Sequence, residues 1–224
     1  DIPGLSIGEV GSENTNELWL RGGYPQSFLA ADRVDSGRWR GQYVRNLATR
    51  DLRDFGMDLG AATIERYLGM AAAYHGQLWN SSALARAIDI SETTSRRYAD
   101  ALADAELVRI LRPWAANTGK RLTKTPKVYF RDSGLAHTLL GIEDHAGLLR
   151  HPLVGASWEG FLIEEIFKLI GEGSQPYFWR TSNGAEIDLV VRLHGELVGI
   201  EIKRTDSPKA TRSLRTGFAE VGLD

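Results

Sequence analysis

Charged side chains recur at even spacing on two adjacent apolar stretches between Gly184 and Arg204. The charged residues at this spacing are Glu186, Asp188, Glu201 and Lys203. Between the two stretches lies His194-Gly195, whose composition is typical of a two-residue hairpin turn because glycine tolerates a positive φ. The sequence therefore predicts a β-hairpin that carries three acids and a lysine.

With a two-residue turn, Asp188 lies directly opposite Glu201, Glu186 lies opposite Lys203, and all aliphatic pairs lie on the other face. Like charges directly opposite each other destabilise a sheet. The Asp188–Glu201 pair thus predicts a Mg²⁺ or Mn²⁺ ion between the carboxylates, because Mg²⁺ takes one or two carboxylates together with water and phosphate oxygens. An arginine could neutralise the pair instead, and a three-residue turn would remove this argument. The candidate arginines are Arg180, Arg192 and Arg204.

The stretch GASWEGFLIEEIFKLI has the periodicity of an amphipathic helix and places Glu159 on its apolar face. The apolar members of that face are Leu162, Ile163, Ile166 and Ile170. Lone carboxylates avoid burial, so we expect Glu159 to be a third acid beside the hairpin. The alternative is that Glu159 stabilises the first helical turn, where an acid is favoured. Glu164, Glu165 and Lys168 are expected to lie nearer to solvent.

Residues 82–130 have the element order of a winged helix-turn-helix. A short helix over Ser82–Ile88 and a three-residue turn precede a second helix, for which Ser91 is a suitable N-cap and which runs to about Ala105. The stretches LVRIL and KVYF then predict two strands joined by a basic loop. In a winged helix the second helix can enter the major groove of DNA.

The outward face of the second helix and the basic loop supply the candidate nucleic-acid contacts. On the helix these are Thr94, Arg96 and Arg97, flanked by Thr93 and Asp100. In the loop they are Lys120, Arg121, Lys124 and Lys127, which we expect at backbone phosphates. The alternative is a winged helix that contacts only proteins, because a fold does not fix a function.

Positive charge is concentrated in the middle of the chain. Residues 75–131 contain ten basic and five acidic residues, an excess of +5. The whole chain has a net charge of −2, so the remainder carries −7. This asymmetry favours an anionic partner, although a solvated charged face would have the same composition.

Periodicity and composition predict three parts in a globular chain of 224 residues. These are a helical segment over 1–74, the winged helix over 75–150 and an α/β lobe over 151–224. There is no cysteine, which excludes disulfides and thiolate metal sites. No apolar run reaches the roughly 18 residues of a membrane helix, and the first residues do not resemble a signal peptide. These features are compatible with a cytoplasmic protein. Because the chain starts at Asp1 without a methionine and stops at Asp224 shortly after a predicted helix start, we expect a fragment of a longer protein.

The last part resembles the PD-(D/E)XK nuclease-like fold, in which a helix with an inward glutamate precedes a strand with Asp and a strand with Glu-x-Lys. The matching residues are Glu159, Asp188, Glu201 and Lys203. This resemblance implies a central mixed sheet, Mg²⁺ held by Asp188 and Glu201, and Glu159 completing the site. It also implies that Lys203 assists the attacking water or the developing charge in metal-assisted phosphodiester hydrolysis.

A wider set of segments resembles the C-terminal half of a large group of uncharacterised prokaryotic AAA-type ATPases. These segments are LWLRGGYP, YVRNLATRDL, the helix-turn-helix, KVYFRDSGLAHTLLGI, GASWEGFLIEEI, GAEIDLVV and IEIKR. In that group a P-loop ATPase domain precedes this region, and the pattern continues past the position of Asp224, so we expect the nuclease-like domain to be truncated here. No G-x-x-x-x-G-K-[ST] occurs in this chain, so ATP is expected only in the upstream domain.

We expect, from these residues and this resemblance, a nucleic-acid-binding effector region of an AAA-type ATPase with a Mg-dependent endonuclease-like site. Its partners would be DNA and the ATPase domain of the same polypeptide, and not a membrane. The alternative is a non-catalytic DNA-binding or protein-binding regulatory module with a degenerate nuclease fold, and a scaffold for oligomerisation is a third hypothesis. The activity of the site, its target, the oligomeric state and the pathway stay open.

Overall fold

The computed structural model describes residues 4–114, 124–171, 173–181, 184–205, 207, 212–221 and 223. Over these residues the chain folds into helices and one six-stranded sheet with parallel and antiparallel pairs. The predicted mixed α and β class is confirmed. No helix in this described part of the chain is both long and apolar enough to cross a membrane.

Short helices form the N-terminal third of the chain, as its apolar periodicity predicts. Their bounds are Ile7–Val10 (α1), Thr15–Arg21 (α2), Pro25–Phe28 (α3), Arg33–Asn46 (α4), Leu52–Asp54 (α5) and Ala61–Ala73 (α6). A 3₁₀ turn over Ser12–Asn14 precedes α2, and a π-helical turn over Leu47–Asp51 joins α4 to α5. The predicted stripe on α6 is buried at Ile64, Tyr67 and Ala71.

The predicted helix-turn-helix is present as Ser81–Ile88 (α7) and Glu92–Asp104 (α8). Asp89 ends α7 in the left-handed region, at φ 57°. The Ser91 side chain accepts a hydrogen bond from the Thr94 N–H and so begins α8, as its N-cap position predicts. The buried residues of α8 include Tyr98, Ala101 and Leu102, which confirms the predicted apolar face.

One sheet connects the helix-turn-helix to the last part of the chain. Its strands are Gln77–Leu78 (β1), Val108–Pro113 (β2), Lys127–Phe130 (β3), Tyr177–Arg180 (β4), Glu186–Leu193 (β5) and Glu196–Ile200 (β6). Their order in the sheet is β1-β3-β2-β4-β5-β6. Strand β2 pairs antiparallel with β3 and parallel with β4, so it belongs to both halves of the sheet.

A long amphipathic helix covers the sheet. The remaining helices are Ser133–Leu139 (α9), His145–Arg150 (α10), Val154–Ile170 (α11) and Arg212–Val221 (α12). From α11, Ile163 and Phe167 pack in one apolar cluster with Leu111, Tyr129 and Phe178 of three different strands. Burial of this apolar area stabilises the packing of α11 on the sheet.

The hairpin at β5 and β6 has the predicted register. Leu193 pairs with Glu196 and Val191 with Val198, and the turn is formed by two residues, of which His194 has φ 52°. The observed ladder ends at Leu189, however, so Asp188 and Glu201 are not a cross-strand pair. The predicted pairing of Glu186 with Lys203 is likewise absent from this ladder. On the other edge of β5, Glu186 is paired with Arg180 of β4.

A β-bulge in β5 changes which face its side chains occupy. Tyr177 pairs with Val190 but Trp179 pairs with Ile187, so two residues of β5 lie opposite one residue of β4. Such a bulge interrupts the regular alternation of faces. Ile187 and Val190 consequently pack with Trp179 and α12, whereas Leu189 packs beneath α11. The prediction that all aliphatic residues share one face is wrong, because β5 is buried on both faces.

Helix α11 packs closely against β3 and the neighbouring His75 at Gly160. A Cβ atom at this position would lie 2.4 Å from Nε2 of His75 and 3.0 Å from a ring carbon of Tyr129. At Gly155, on the same helix, a Cβ atom would meet nothing within 4 Å. The absence of a side chain at Gly160 therefore sets the distance between α11 and β3.

We predict that Gly160→Ala lowers the free energy of unfolding by about 1–3 kcal/mol, because the added methyl group overpacks the junction. The matched variant Gly155→Ala should be neutral or stabilising by up to about 1 kcal/mol, because alanine favours the helix. Urea unfolding followed by circular dichroism measures both. Equal stability of the two variants would contradict this packing.

Candidate acidic site and helix-turn-helix surface

The structure brings together the four predicted residues of the acidic site. Glu159 lies on α11, Asp188 on the bulge of β5, and Glu201 and Lys203 on the segment after β6. The three acidic side chains are 15%, 7% and 9% exposed, in the same order, and Lys203 is 48% exposed. The site is therefore a nearly buried acidic face, here defined as Glu159, Glu186, Asp188 and Glu201, with one lysine at its rim.

Lys203 lies between two of these carboxylates. Its Nζ is 3.6 Å from Oδ2 of Asp188 and 3.2 Å from Oε1 of Glu201. Burial disfavours the ammonium, but the charges of Asp188 and Glu201 outweigh it and raise the pKa of Lys203. Lys203 thus supplies the cation that the paired carboxylates require, and none of the three predicted arginines takes that position.

The backbone after β6 also binds Asp188. The Ile202 N–H donates a hydrogen bond of 2.8 Å to Oδ2 of Asp188. Burial raises the pKa of Asp188, against the opposing effects of this N–H and of the Lys203 and Lys127 charges. The Asp188 carboxylate therefore accepts a hydrogen bond from the backbone beyond Leu189, where the β5–β6 ladder ends.

A second lysine enters the acidic face from the helix-turn-helix side of the sheet. Lys127, the first residue of β3, has Nζ 3.1 Å from Oε1 of Glu159 and in contact with Glu186. Its side chain is 4% exposed. Burial lowers the pKa of Lys127, but the charges of Glu159 and Glu186 outweigh burial and raise it overall. Lys127 is therefore a buried counter-ion.

Tyr129 completes the surroundings of Glu159. Its hydroxyl donates a hydrogen bond to Oε1 of Glu159. Burial, followed by the charge of Glu159, raises the pKa of Tyr129 well above its usual value, so the hydroxyl stays protonated. Burial also raises the pKa of Glu159, with the Lys127 charge opposing it.

The carboxylate oxygens of the acidic face do not fit the predicted Mg²⁺ site. Mg²⁺ needs free oxygens at about 2.1 Å in near-octahedral geometry. Here Lys203 bridges Asp188 and Glu201, and Lys127 and Tyr129 share Glu159. A second cation among the same oxygens is opposed by charge repulsion. Within the described ranges, no group of three or more His, Cys, Asp or Glu side chains is arranged to hold a metal ion.

Two other glutamates of α11 are buried, contrary to the expectation that they lie nearer to solvent. Glu164 accepts hydrogen bonds from Arg109 at 2.5 and 2.9 Å and from Arg131 at 3.2 Å. Glu165 accepts one from the Ile7 N–H at 2.7 Å. The reason is that α11 packs against the sheet on one side and against the N-terminal segment on the other, so its polar stripe is not a solvent face.

These contacts reduce the positive charge of the helix-turn-helix surface. Arg109, Lys127 and Arg131 face carboxylates of α11 and β5 instead of solvent. Without these three, the ten basic residues over 75–131 become seven, against five acids. The excess of positive charge in this segment therefore falls from five to two. The charge asymmetry of the sequence is therefore partly an internal charge balance.

The predicted nucleic-acid contacts fall into three groups. Arg96, Arg97 and Lys124 are exposed, and Thr94 is half-buried at the start of α8. Lys120 and Arg121 lie outside the described residues. Lys127 is not available to a phosphate, because its ammonium is buried against Glu159 and Glu186.

A groove of about 730 Å³ lies beside α8. Arg96, Arg112 and Lys124 line it together with the start of α7 at Asn80. Arg96 is paired with Glu92 at 2.5 Å, whereas Arg97, Arg112 and Lys124 have no ion-pair partner in the part of the chain that the structure describes. The groove thus presents to solvent two cations, those of Arg112 and Lys124, that have no ion-pair partner among the described residues.

Sequence reasoning missed the internal roles of Lys127 and Tyr129. These residues are two apart on β3, so their side chains point to the same side of the strand. They meet at Glu159. The i, i+2 spacing was the available signal, but the basic composition of the preceding loop favoured a phosphate contact for Lys127 instead.

We predict that Asp188→Asn stabilises the fold relative to wild type at neutral pH and that this gain shrinks as the pH falls. A carboxyl group whose folded pKa is raised binds protons more tightly in the folded state, so wild type loses stability as the pH rises through that pKa. Asparagine keeps an acceptor for the Ile202 N–H but does not titrate. Urea unfolding between about pH 4 and pH 8 measures the difference. A loss of stability that is largest at neutral pH would contradict this reading.

Two families of known proteins match successive parts of the chain. Residues 12–146 match the family described as "Domain of unknown function (DUF8612)", and residues 154–223 match "Domain of unknown function (DUF4143)". No solved structure matches the chain significantly.

Two curated relatives are "Uncharacterized protein Mb2031c" from Mycobacterium bovis and "Uncharacterized protein Rv2008c" from Mycobacterium tuberculosis. Each is 48% identical over 223 residues, which covers 100% of this chain and 50% of the relative. The chain thus spans about half the length of the curated relatives it matches. Since the first family match covers more than half of the chain, the protein belongs to the DUF8612 family and carries a DUF4143 region at residues 154–223.

Proposed function

We propose that this chain is the nucleic-acid-binding effector region of a cytoplasmic AAA-type ATPase and that its helix-turn-helix is a winged helix that contacts duplex DNA. The order of α7, α8, β2 and β3 supports the winged helix. The segments quoted above support the ATPase association by resemblance. An ATPase domain elsewhere in the polypeptide is part of this proposal.

The observation that carries the proposal is the set of unpaired cations around α8. Arg97, Arg112 and Lys124 are exposed and have no ion-pair partner in the described ranges. Long basic side chains without an ion-pair partner are free to bind phosphate oxygens, and arginine can do so with two hydrogen bonds. Thr94, half-buried at the start of α8, adds a hydroxyl that can bond a phosphate.

The modest surface charge determines the kind of binding. Few phosphate contacts give weak, salt-sensitive binding that tolerates many sequences. Base readout would require bidentate contacts from Arg96 or Arg97 to guanine, and Arg96 is paired with Glu92. We therefore propose duplex binding without strong sequence preference.

For the α/β lobe, we propose a degenerate PD-(D/E)XK-like domain that serves as a platform for the helix-turn-helix. The buried ammonium group of Lys127 and the half-exposed one of Lys203, both paired with carboxylates of the acidic face, support this reading over a metal-dependent endonuclease. The second candidate, cleavage, is favoured by the proximity of Asp188, Glu201 and Lys203. Incubation of supercoiled plasmid with Mg²⁺ or Mn²⁺ separates the two, because cleavage that Asp188→Asn abolishes would contradict the platform.

We predict that replacing Arg97, Arg112 and Lys124 together by alanine weakens duplex DNA binding by about tenfold or more at low salt. The slope of log affinity against log salt should fall by about 3, which is one unit for each lost phosphate contact. Fluorescence anisotropy with two unrelated duplexes measures both quantities, and the loss should be similar for both sequences.

The matched control removes the same charge from exposed arginines on other elements, with alanine at Arg33, Arg53 and Arg150. This control should keep the affinity and the salt slope of wild type. Equal losses in the two triple variants would show that net charge alone is responsible. If wild type does not bind duplex DNA at low salt, the helix-turn-helix contacts proteins instead of DNA and the proposal is contradicted.

A further inference from the structure

The groove beside α8 is deeper and more apolar than a surface that only binds phosphates requires. Its apolar lining includes Ala99 of α8 and the cross-strand pair of Ile110 and Val128, which join β2 to β3. All three side chains are buried or half-buried. The volume of about 730 Å³ lies within the range of pockets that bind small organic ligands, about 300–1,000 Å³. The groove can therefore enclose an apolar ring.

Trp79 lines this groove and carries an unused hydrogen-bond donor. Its backbone N–H donates a hydrogen bond of 2.8 Å to the carbonyl oxygen of Pro126, which also lines the groove. The residue is 6% exposed, and its indole Nε1 is buried without a hydrogen-bond partner among the described residues. A buried indole N–H usually has a partner, because leaving a buried donor unsatisfied is costly. A hydrogen-bond acceptor on a bound ligand would satisfy this donor.

Charged side chains of both signs surround the apolar lining. Arg112 follows Ile110 by two residues, so both side chains point to the same side of β2, and Lys124 lies on the segment that leads into β3. Both cations are exposed, and so is the carboxylate of Asp100 on α8. None of the three has an ion-pair partner in the part of the chain that the structure describes. An anionic head group would meet two cations here, and Asp100 can accept a hydrogen bond from a hydroxyl or amino group.

We propose that this groove binds a nucleoside monophosphate, with its phosphate at Arg112 and Lys124 and with an acceptor atom of its base or ribose bound to Nε1 of Trp79. A nucleotide combines the features that the lining requires: an anion, a flat ring with acceptor atoms, and hydroxyl or amino donors for Asp100. Inorganic phosphate would use only the two cations, and an uncharged nucleoside would leave them unused. The proposal goes beyond duplex binding and does not rest on it, although both use Arg112 and Lys124.

The test is isothermal titration calorimetry of the purified chain with AMP, adenosine and inorganic phosphate. Wild type should bind AMP, and it should bind adenosine and inorganic phosphate about tenfold or more weakly, because each lacks one set of contacts. Trp79→Phe keeps an aromatic ring but removes the donor, so it should weaken AMP binding by about fivefold, the effect of one lost hydrogen bond. Arg112→Ala with Lys124→Ala should weaken it by about tenfold or more, because charge-assisted hydrogen bonds are stronger.

The matched control is Trp179→Phe, because Nε1 of Trp179 is likewise buried without a partner among the described residues but Trp179 packs in a different apolar cluster, with α12. This variant should bind AMP as wild type does. Trp79→Phe should keep the affinity of wild type for duplex DNA, since Trp79 is not one of the proposed DNA contacts, and this separates the two proposals.

Three results would overturn the nucleotide site. These are no binding of AMP by wild type at millimolar concentration, binding of inorganic phosphate as tight as that of AMP, and equal AMP affinities of Trp79→Phe and Trp179→Phe. If Trp79→Phe does not fold, the double variant at Arg112 and Lys124 decides, because both side chains are exposed and their loss does not disturb the core. An AMP affinity equal to that of wild type in this double variant would also overturn the proposal.

Discussion

The structure depends on compensation of buried carboxylates at the junction of the two halves of the chain. Helix α11 and strand β5 bury Glu159, Glu164 and Asp188, which costs several kcal/mol for each ion unless it is paired and hydrogen-bonded. The compensating cations Arg109 and Lys127 come from β2 and β3. Together with the shared sheet, these pairs make the helix-turn-helix and the α/β lobe mutually dependent.

The same charge compensation limits which charged residues are available to bind a ligand. A basic residue that neutralises an internal carboxylate does not bind a phosphate, and a carboxylate that holds an ammonium does not readily hold a metal ion. Both the positive excess of the helix-turn-helix and the negative charge of the acidic face are therefore smaller at the surface than in the sequence. The cations that remain exposed in this region include Arg97, Arg112 and Lys124, of which Arg112 and Lys124 line the groove beside α8.

The features that could be predicted from the sequence are local. The Ser91 cap, the face of α8 and the two-residue turn at His194 depend on neighbouring residues, and all three are confirmed. The predicted site residues Glu159, Asp188, Glu201 and Lys203 also come together. The bulge in β5 and the inward position of Lys127 could not be predicted, because they depend on contacts between separate elements: the bulge on pairing with β4, and Lys127 on Glu159 of α11 and Glu186 of β5. Periodicity describes one element at a time and does not say which element supplies the counter-ion.

Lys127 is a charged counter-ion inside the acidic face, where it contacts Glu159 and Glu186. The most direct measurement is a pH titration of the lysine Nζ resonances by NMR, with the signal assigned by comparison with a Lys127→Arg sample. The Lys127 signal should remain that of an ammonium group up to a pH above the ordinary lysine pKa of about 10.4, because the charges of Glu159 and Glu186 outweigh burial. Titration of Lys127 well below that value would show that burial dominates and that the carboxylates do not hold it, which would contradict the account.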